Sequence, residues 1–223
     1  MKTPLHSLRT ASLPVVMSLV VSAQILADPP AAPEVVKQDF SSLAEGALPD
    51  ELMVIEGAFT IVTEGDNKML QLGTEPLTEG GVLLGKSIKQ GGTVKAKVRA
   101  SSKRRSFPRF SVGIGGTSGY RCRIAPAEKL MEINKEDTRL AKADFTWKSD
   151  AWFWIEISVL PAQAAGQWSI EGRCWEDGQP RPETPQVAHT ATEQPPNGKA
   201  SVWGAPFSEK PIFFDDIEII PAK

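Results

Sequence analysis

The sequence predicts an all-β fold: a two-sheet antiparallel sandwich forming the mature part of an exported chain. Three observations lead there. Apolar residues recur with period two, not 3.6, over most of the 223 residues. Glycine- and asparagine-rich turns part these runs at short intervals. The first residues have the charge and length pattern of a leader.

The leader comes first in the chain. Lys2, His6 and Arg9 form a basic opening, and Leu13 to Ala27 is almost wholly apolar until Asp28-Pro29-Pro30. A membrane-crossing helix needs about 20 apolar residues, whereas Ser18, Ser22 and Gln24 break this shorter run. Small residues end both Val21-Ser22-Ala23 and Ile25-Leu26-Ala27, and the polar segment that follows favours cleavage after Ala27. Residues 1–27 are therefore expected to be a signal peptide and 28–34 a flexible, proline-rich lead-in. Residues 35–223 form one domain, periplasmic or extracellular, with no membrane span after signal removal. Loss of Lys2 and Arg9 takes the formal charge from −2 to −4, a mild balance that argues against nucleic acid as a partner.

Thr93 to Ser101 is the clearest strand: Val94, Ala96, Val98 and Ala100 alternate with Lys95, Lys97 and Arg99, one face for a core and one for water. Similar runs fall at Phe59 to Thr63, Gly81 to Ile88, Arg109 to Ile114, Tyr120 to Ile124 and Leu130 to Ile133. Others follow at Trp152 to Leu160, Trp168 to Cys174, Ala200 to Trp203 and Ile212 to Ile220. Turns such as Gly65-Asp66-Asn67, Gly91-Gly92, Gly115-Gly116, Asp177-Gly178 and Asn197-Gly198 separate them. Glu176 to Lys199 is the long irregular segment, where Pro180, Pro182, Pro185, Pro195 and Pro196 interrupt pairing. It reads as a lid or as a crossover between sheets.

Cys122 and Cys174 are the two cysteines, and each shares the apolar side of its run. In an oxidising compartment they are candidates for a disulfide, and equally for two inert core thiols. A bridge closing so long a loop would contribute on the order of 4 kcal/mol in the chain-entropy model.

Catalytic constellations are scarce. After processing, His189 is the remaining histidine, which argues against a catalytic zinc site and leaves no imidazole placed beside a nucleophilic serine. The Glu64-Gly65-Asp66 pair falls in a turn. Asp215 and Asp216 on the last strand, with Asp39 near the first, are candidate oxygen ligands for a structural calcium, or alternatively charges that guard an exposed edge.

Basic residues concentrate between Lys86 and Arg123, including Lys95, Lys97, Arg99, Lys103-Arg104-Arg105, Arg109, Arg121 and Arg123. They read either as a positive patch for an anionic ligand or as ordinary solvated strand faces. Of six tryptophans, Trp175 and Trp203 sit opposite core-facing neighbours and are the better ligand-facing candidates. Tyr120, Arg121 and Arg123 complete the candidate ligand set.

Several stretches resemble the second half of concanavalin A-like lectin/glucanase jelly rolls. They are Trp147-Lys148-Ser149-Asp150-Ala151-Trp152, the run from Trp168 through Cys174-Trp175 to Asp177-Gly178, Ala200-Ser201-Val202-Trp203-Gly204, and Phe213-Phe214-Asp215-Asp216-Ile217. Asp39-Phe40 and Gly57-Ala58-Phe59 are similar to that group's first strands. The resemblance implies a two-sheet jelly roll acting as a carbohydrate-binding recognition module, its partner a polysaccharide or other glycan. Many hydrolases of the group carry Glu-x-Asp-x-Glu or Glu-x-Asp-x-x-Glu on a strand; this chain has neither, so no catalytic residue is carried over. A glycoside hydrolase with scattered carboxylates and a structural envelope or partner-binding protein stand as the alternatives.

Overall fold

Alternating side chains give strands, and strands with one apolar face must bury it against another layer. The computed structural model describes residues 34–46, 48–75 and 77–222; the expected signal peptide and residues 28–33 of the lead-in lie outside the described residues. Fifteen strands follow in chain order: β1 (Val36–Gln38), β2 (Met53–Glu56), β3 (Phe59–Glu64), β4 (Asn67–Leu72), β5 (Gly80–Ile88), β6 (Gly92–Ala100), β7 (Arg109–Ile114), β8 (Tyr120–Ala125), β9 (Leu130–Lys135), β10 (Thr138–Asp144), β11 (Trp152–Pro161), β12 (Trp168–Glu176), β13 (Val187–Ala191), β14 (Gly198–Ala205) and β15 (Ile212–Pro221). A 3-10 turn at Gly116–Ser118 is the helical element among the described residues, and no helix there is long and apolar enough to cross a membrane.

The strands form two antiparallel sheets. One runs β13-β12-β11-β6-β15-β4-β3, with β1 also paired to β15, and the other β10-β9-β8-β7-β14-β5-β2. Val94, Ala96, Val98 and Ala100 of β6 and Phe153, Ile155, Ile157 and Val159 of β11 point inward from the first. Val112, Ile124, Ile133 and Val202 meet them from the second. Each fully buried apolar side chain contributes about 1.5–3 kcal/mol, so this shared interior is the main source of stability.

All ten runs predicted from alternation are strands. The prediction misses β1, β2, β4, β10 and β13. β4 and β10 are second arms of hairpins whose two-residue loops, Gly65-Asp66 and Glu136-Asp137, lie in charged sequence. β13 lies inside the proline-rich segment and pairs with β12, which makes that segment a connection that partly rejoins the sheet.

One departure from strict alternation matters for the surface. On β15, Asp215 faces Lys97 and Glu218 faces Lys95, so three steps on one strand match two on the other. Asp216 is the extra residue, in the left-handed region at φ 45. The bulge keeps Phe214, Ile217 and Ile219 in the core while Asp215, Asp216 and Glu218 turn outward.

Candidate ligand-binding face

The outward residues of the seven-stranded sheet follow from its register. Trp203, Ser111, Arg123 and Glu132 lie in one row across β14, β7, β8 and β9, and Ser201, Gly113, Arg121 and Asn134 in the next. Their chain neighbours Val202, Val112, Cys122 and Ile133 are core, so period two turns this whole set outward. Yet Ser111, Ser201, Glu132, Asn134, Trp203 and Arg121 are all buried, because the long side chains lie down over the short ones.

The layering is specific. A Cβ on Gly81 would come within 2.2 Å of the Trp203 ring, so the indole lies directly over that glycine. The Arg121 guanidinium stacks on the indole, 3.6 Å from the ring centroid. Arg121 donates to Glu79 at 2.5 Å and to the Thr117 carbonyl at 3.0 Å, which fixes the stack from above. Burial pulls the Arg121 guanidinium below its ordinary value and Glu79 pulls it back; arginine stays charged through such shifts. Beside it, the fully buried Glu132 carboxylate accepts from Arg123 Nε at 2.5 Å and from Arg139, which also donates to Glu128 at 2.8 Å. Those acceptors, Glu128 first, hold the Arg139 guanidinium above its ordinary value.

At the other end of the face Arg109 stands over the Phe207 ring at 5.0 Å. Phe207 is 46% exposed and lines an open groove of about 420 Å³ with Thr74, Leu77, Thr78, Pro206 and Glu209. Several polar atoms of this face are buried with no partner: Arg109 Nε, Ser111 Oγ, Arg121 Nε, Asn134 Nδ2 and Oδ1, Ser201 Oγ and Trp203 Nε1.

Of the residues predicted from sequence, the structure brings Arg121, Arg123 and Trp203 together. It removes two others from the set. Tyr120 points inward, 3% exposed, and belongs to the core; it shares the parity of Cys122, and burial raises its phenol. Trp175 is on the outer face of the other sheet, stacked on Trp154 at 6.1 Å and largely buried. Sequence reasoning misses Glu79, Ser111, Glu132, Asn134, Arg139, Ser201 and Phe207 as members and reaches Arg109 only within the wider basic patch. Parity marks the strand residues as outward, but only register unites them, and Glu79 and Phe207 come from connections.

The outer face of the first sheet is closed on itself. Lys95 and Lys97 stand over Trp154, and Arg99 lies between Trp152 and Phe213. Buried Glu156 accepts from Arg173 and from Arg181, whose proline-rich segment is thereby strapped to the sheet.

The proposed calcium ligands do not fit the ion. Asp39 accepts from the amide and hydroxyl of Ser41, Asp215 from Asn67 Nδ2 at 2.7 Å and from the Asp216 amide, and Asp216 pairs with Lys97 at 3.0 Å. A lysine ammonium thus supplies the positive charge that Asp216 needs, and among the described residues no three acidic, histidine or cysteine side chains converge on a metal position. The disulfide is likewise not formed: Cys122 and Cys174 are buried free thiols. Cys122 Sγ lies over Gly172, where a Cβ would be 2.9 Å away, two residues along the strand from Cys174.

No protein-family model matches the sequence, and no curated protein matches it. Solved structures do. Lectin II from Ulex europaeus superposes with TM-score 0.53 at 9% identity, over 83% of this chain and 97% of that one. The carbohydrate binding module CBM66 from Bacillus subtilis gives 0.52 at 8%, over 75% and 93%. The exoplasmic/lumenal domain of VIP36, in a Ca2+/Man-bound form, gives 0.51 at 9%, over 77% and 83%. Identities this low speak to fold alone. With the two antiparallel sheets already described, they show that this chain has the two-sheet jelly-roll sandwich fold of these structures.

Proposed function

We propose that this protein is an exported, non-catalytic carbohydrate-recognition module, and that its glycan lies on the outer face of the seven-stranded sheet, across Arg121, Arg123 and Arg109 and beside Phe207. One observation carries the reading. Of the nine described residues with buried, partnerless polar side-chain atoms, Arg109, Ser111, Arg121, Asn134, Ser201 and Trp203 share this one face. Native proteins keep few such groups, and each calls for a ligand, a water or a strain that serves a purpose. A polyhydroxylated ligand supplies hydrogen-bond partners to the part-exposed guanidiniums of Arg109 and Arg123, and the exposed Phe207 ring offers an apolar surface for a sugar.

The structurally similar lectins and carbohydrate-binding module support this reading by analogy of fold. Binding is favoured over hydrolysis because Glu79 and Glu132, carboxylates of this face, have guanidinium donors on their oxygens. The leader sequence supports export. The test is a panel of neutral and charged polysaccharides presented to the purified protein, with Arg123→Gln as the face variant. Binding that weakens in the variant supports the proposal; no binding across the panel by protein with a native β-type circular dichroism spectrum refutes it.

A further inference from the structure

Resting on the reading just given, we infer that the glycan taken by this face is acidic, its carboxylate or sulfate groups set against Arg109 and the neighbouring Arg104 and Arg105. The charges on the face do not balance. Glu132 lies between Arg123 and Arg139, and Arg139 also pairs with Glu128, so that cluster is neutral and the excess lies at Arg109. Arg109 has no carboxylate within ion-pair distance among the described residues. The groove beside Phe207 continues the imbalance, since Glu209 also borders a hollow lined by Lys103, Arg104 and Arg105. Glu209 pairs with Lys103, and Arg104 and Arg105 have no acidic partner there.

The partnerless atoms are unbalanced in the same sense. Arg109 Nε, Arg121 Nε, Asn134 Nδ2 and Trp203 Nε1 can only donate, Asn134 Oδ1 only accepts, and the two serine hydroxyls do either. A neutral sugar hydroxyl brings a donor with each acceptor, whereas the part-exposed Arg109 and Arg123 guanidiniums present donors alone. An anionic oxygen only accepts, in charge-assisted bonds roughly twice as strong as neutral ones. The opposite sheet is the internal control. There Lys95 pairs with Glu218, Lys97 with Asp177 and Asp216, and Arg99 with Glu64, so the most basic strand in the sequence presents no comparable excess.

The test is calorimetric titration of the purified protein with polygalacturonate and dextran sulfate, against neutral dextran and unsubstituted galactan, at low and at physiological salt. The acidic polymers are expected to bind in preference, with affinity falling about ten-fold between the two salts as screening grows. Arg109→Gln, which removes no ion pair, is expected to weaken binding about ten-fold, the loss of one charge-assisted contact; Lys37→Gln on the other sheet is expected to change nothing. A preference for only one acidic polymer identifies the anion and supports the inference. Equal, salt-insensitive binding of neutral polymers overturns it while leaving carbohydrate recognition standing, and acidic binding untouched by Arg109→Gln overturns it as well. Absence of binding to every polymer overturns both readings.

Discussion

Gly81→Ala tests the layered stack on which the candidate face is built. The added Cβ would lie 2.2 and 2.3 Å from two carbons of the Trp203 ring, with a third at 2.7 Å. The indole cannot simply rise. Arg121 sits 3.6 Å above it, itself tied to Glu79 and to the Thr117 carbonyl. Overpacking of this kind costs about 1–3 kcal/mol, and loss of the guanidinium–indole contact adds about 0.5–2 kcal/mol. In a chain of this size each kcal/mol moves the midpoint by about 2–4 °C, so a fall of roughly 3–20 °C in Tm is expected. Gly73→Ala is the matched control: its Cβ would meet only Ala58, at 3.4 and 3.6 Å, and the change should stay within about 0.5 kcal/mol. Melting followed by tryptophan fluorescence and by far-ultraviolet circular dichroism reads both. A Gly81→Ala protein that melts with the wild type and keeps its tryptophan emission would show that the ring does not lie over Gly81, and the stack would have to be abandoned.

Two further predictions concern the interior and the opposite face. Burial holds both thiols well above the ordinary cysteine value of 9.0, so the neutral thiol is favoured by folding. Their contribution is intact below about pH 9 and declines as pH rises past the unfolded value. Native protein should resist a disulfide-exchange reagent at pH 8 and expose two reactive thiols in guanidinium, and the Cys122→Ala, Cys174→Ala double variant should lose less stability between pH 8 and 10; prompt labelling of the native protein contradicts the placement. Glu156→Leu takes one of two carboxylates from the buried Arg173, whose side chain is 7% exposed and which keeps Glu171, and should cost about 1–3 kcal/mol in urea denaturation. Arg181→Ala removes a partner that is 45% exposed and should cost about 1 kcal/mol or less. Equal costs would mean that Arg181 is as desolvated as Arg173.

The layers were legible because burial imposes a strict period, and the missed elements are those where the period is too short or too polar to register. β1 has three residues. β2 is exposed throughout although Met53, Val54 and Ile55 are apolar, so its composition misreports its position at a sheet edge. Side-chain parity placed Arg121, Arg123 and Trp203 outward without error. It could not say on which of two outer faces a strand would lie: Lys95, Lys97 and Arg99 read as one patch with Arg121 and Arg123, and the topology sends β6 to one sheet and β8 to the other. Tyr120 and Trp175 failed for different reasons. Tyr120 carries inward parity despite its hydroxyl, and Trp175 faces outward into a neighbour, Trp154, which the register of β11 against β12 sets directly beside it.

The contrast between the two outer faces is what gives the candidate site its weight. Both are made of long basic and aromatic side chains on antiparallel strands, and ordinary surface chemistry would leave them alike. On the eight-stranded sheet the bulge at Asp216 adds an outward acid opposite β6, Lys97 takes both Asp216 and Asp177, and the Trp154 ring nitrogen donates to Asp177 at 3.0 Å. The groups there have been given internal partners, Arg173 Nε excepted. On the seven-stranded sheet the same kinds of residues end with donors unmatched and a guanidinium unpaired. Each buried polar group left so costs about 1–3 kcal/mol, and apolar or threonine side chains on the same strands would have avoided that cost. A fold that balances one face almost throughout and leaves the other short of acceptors is adapted, on the second, to a molecule that brings them.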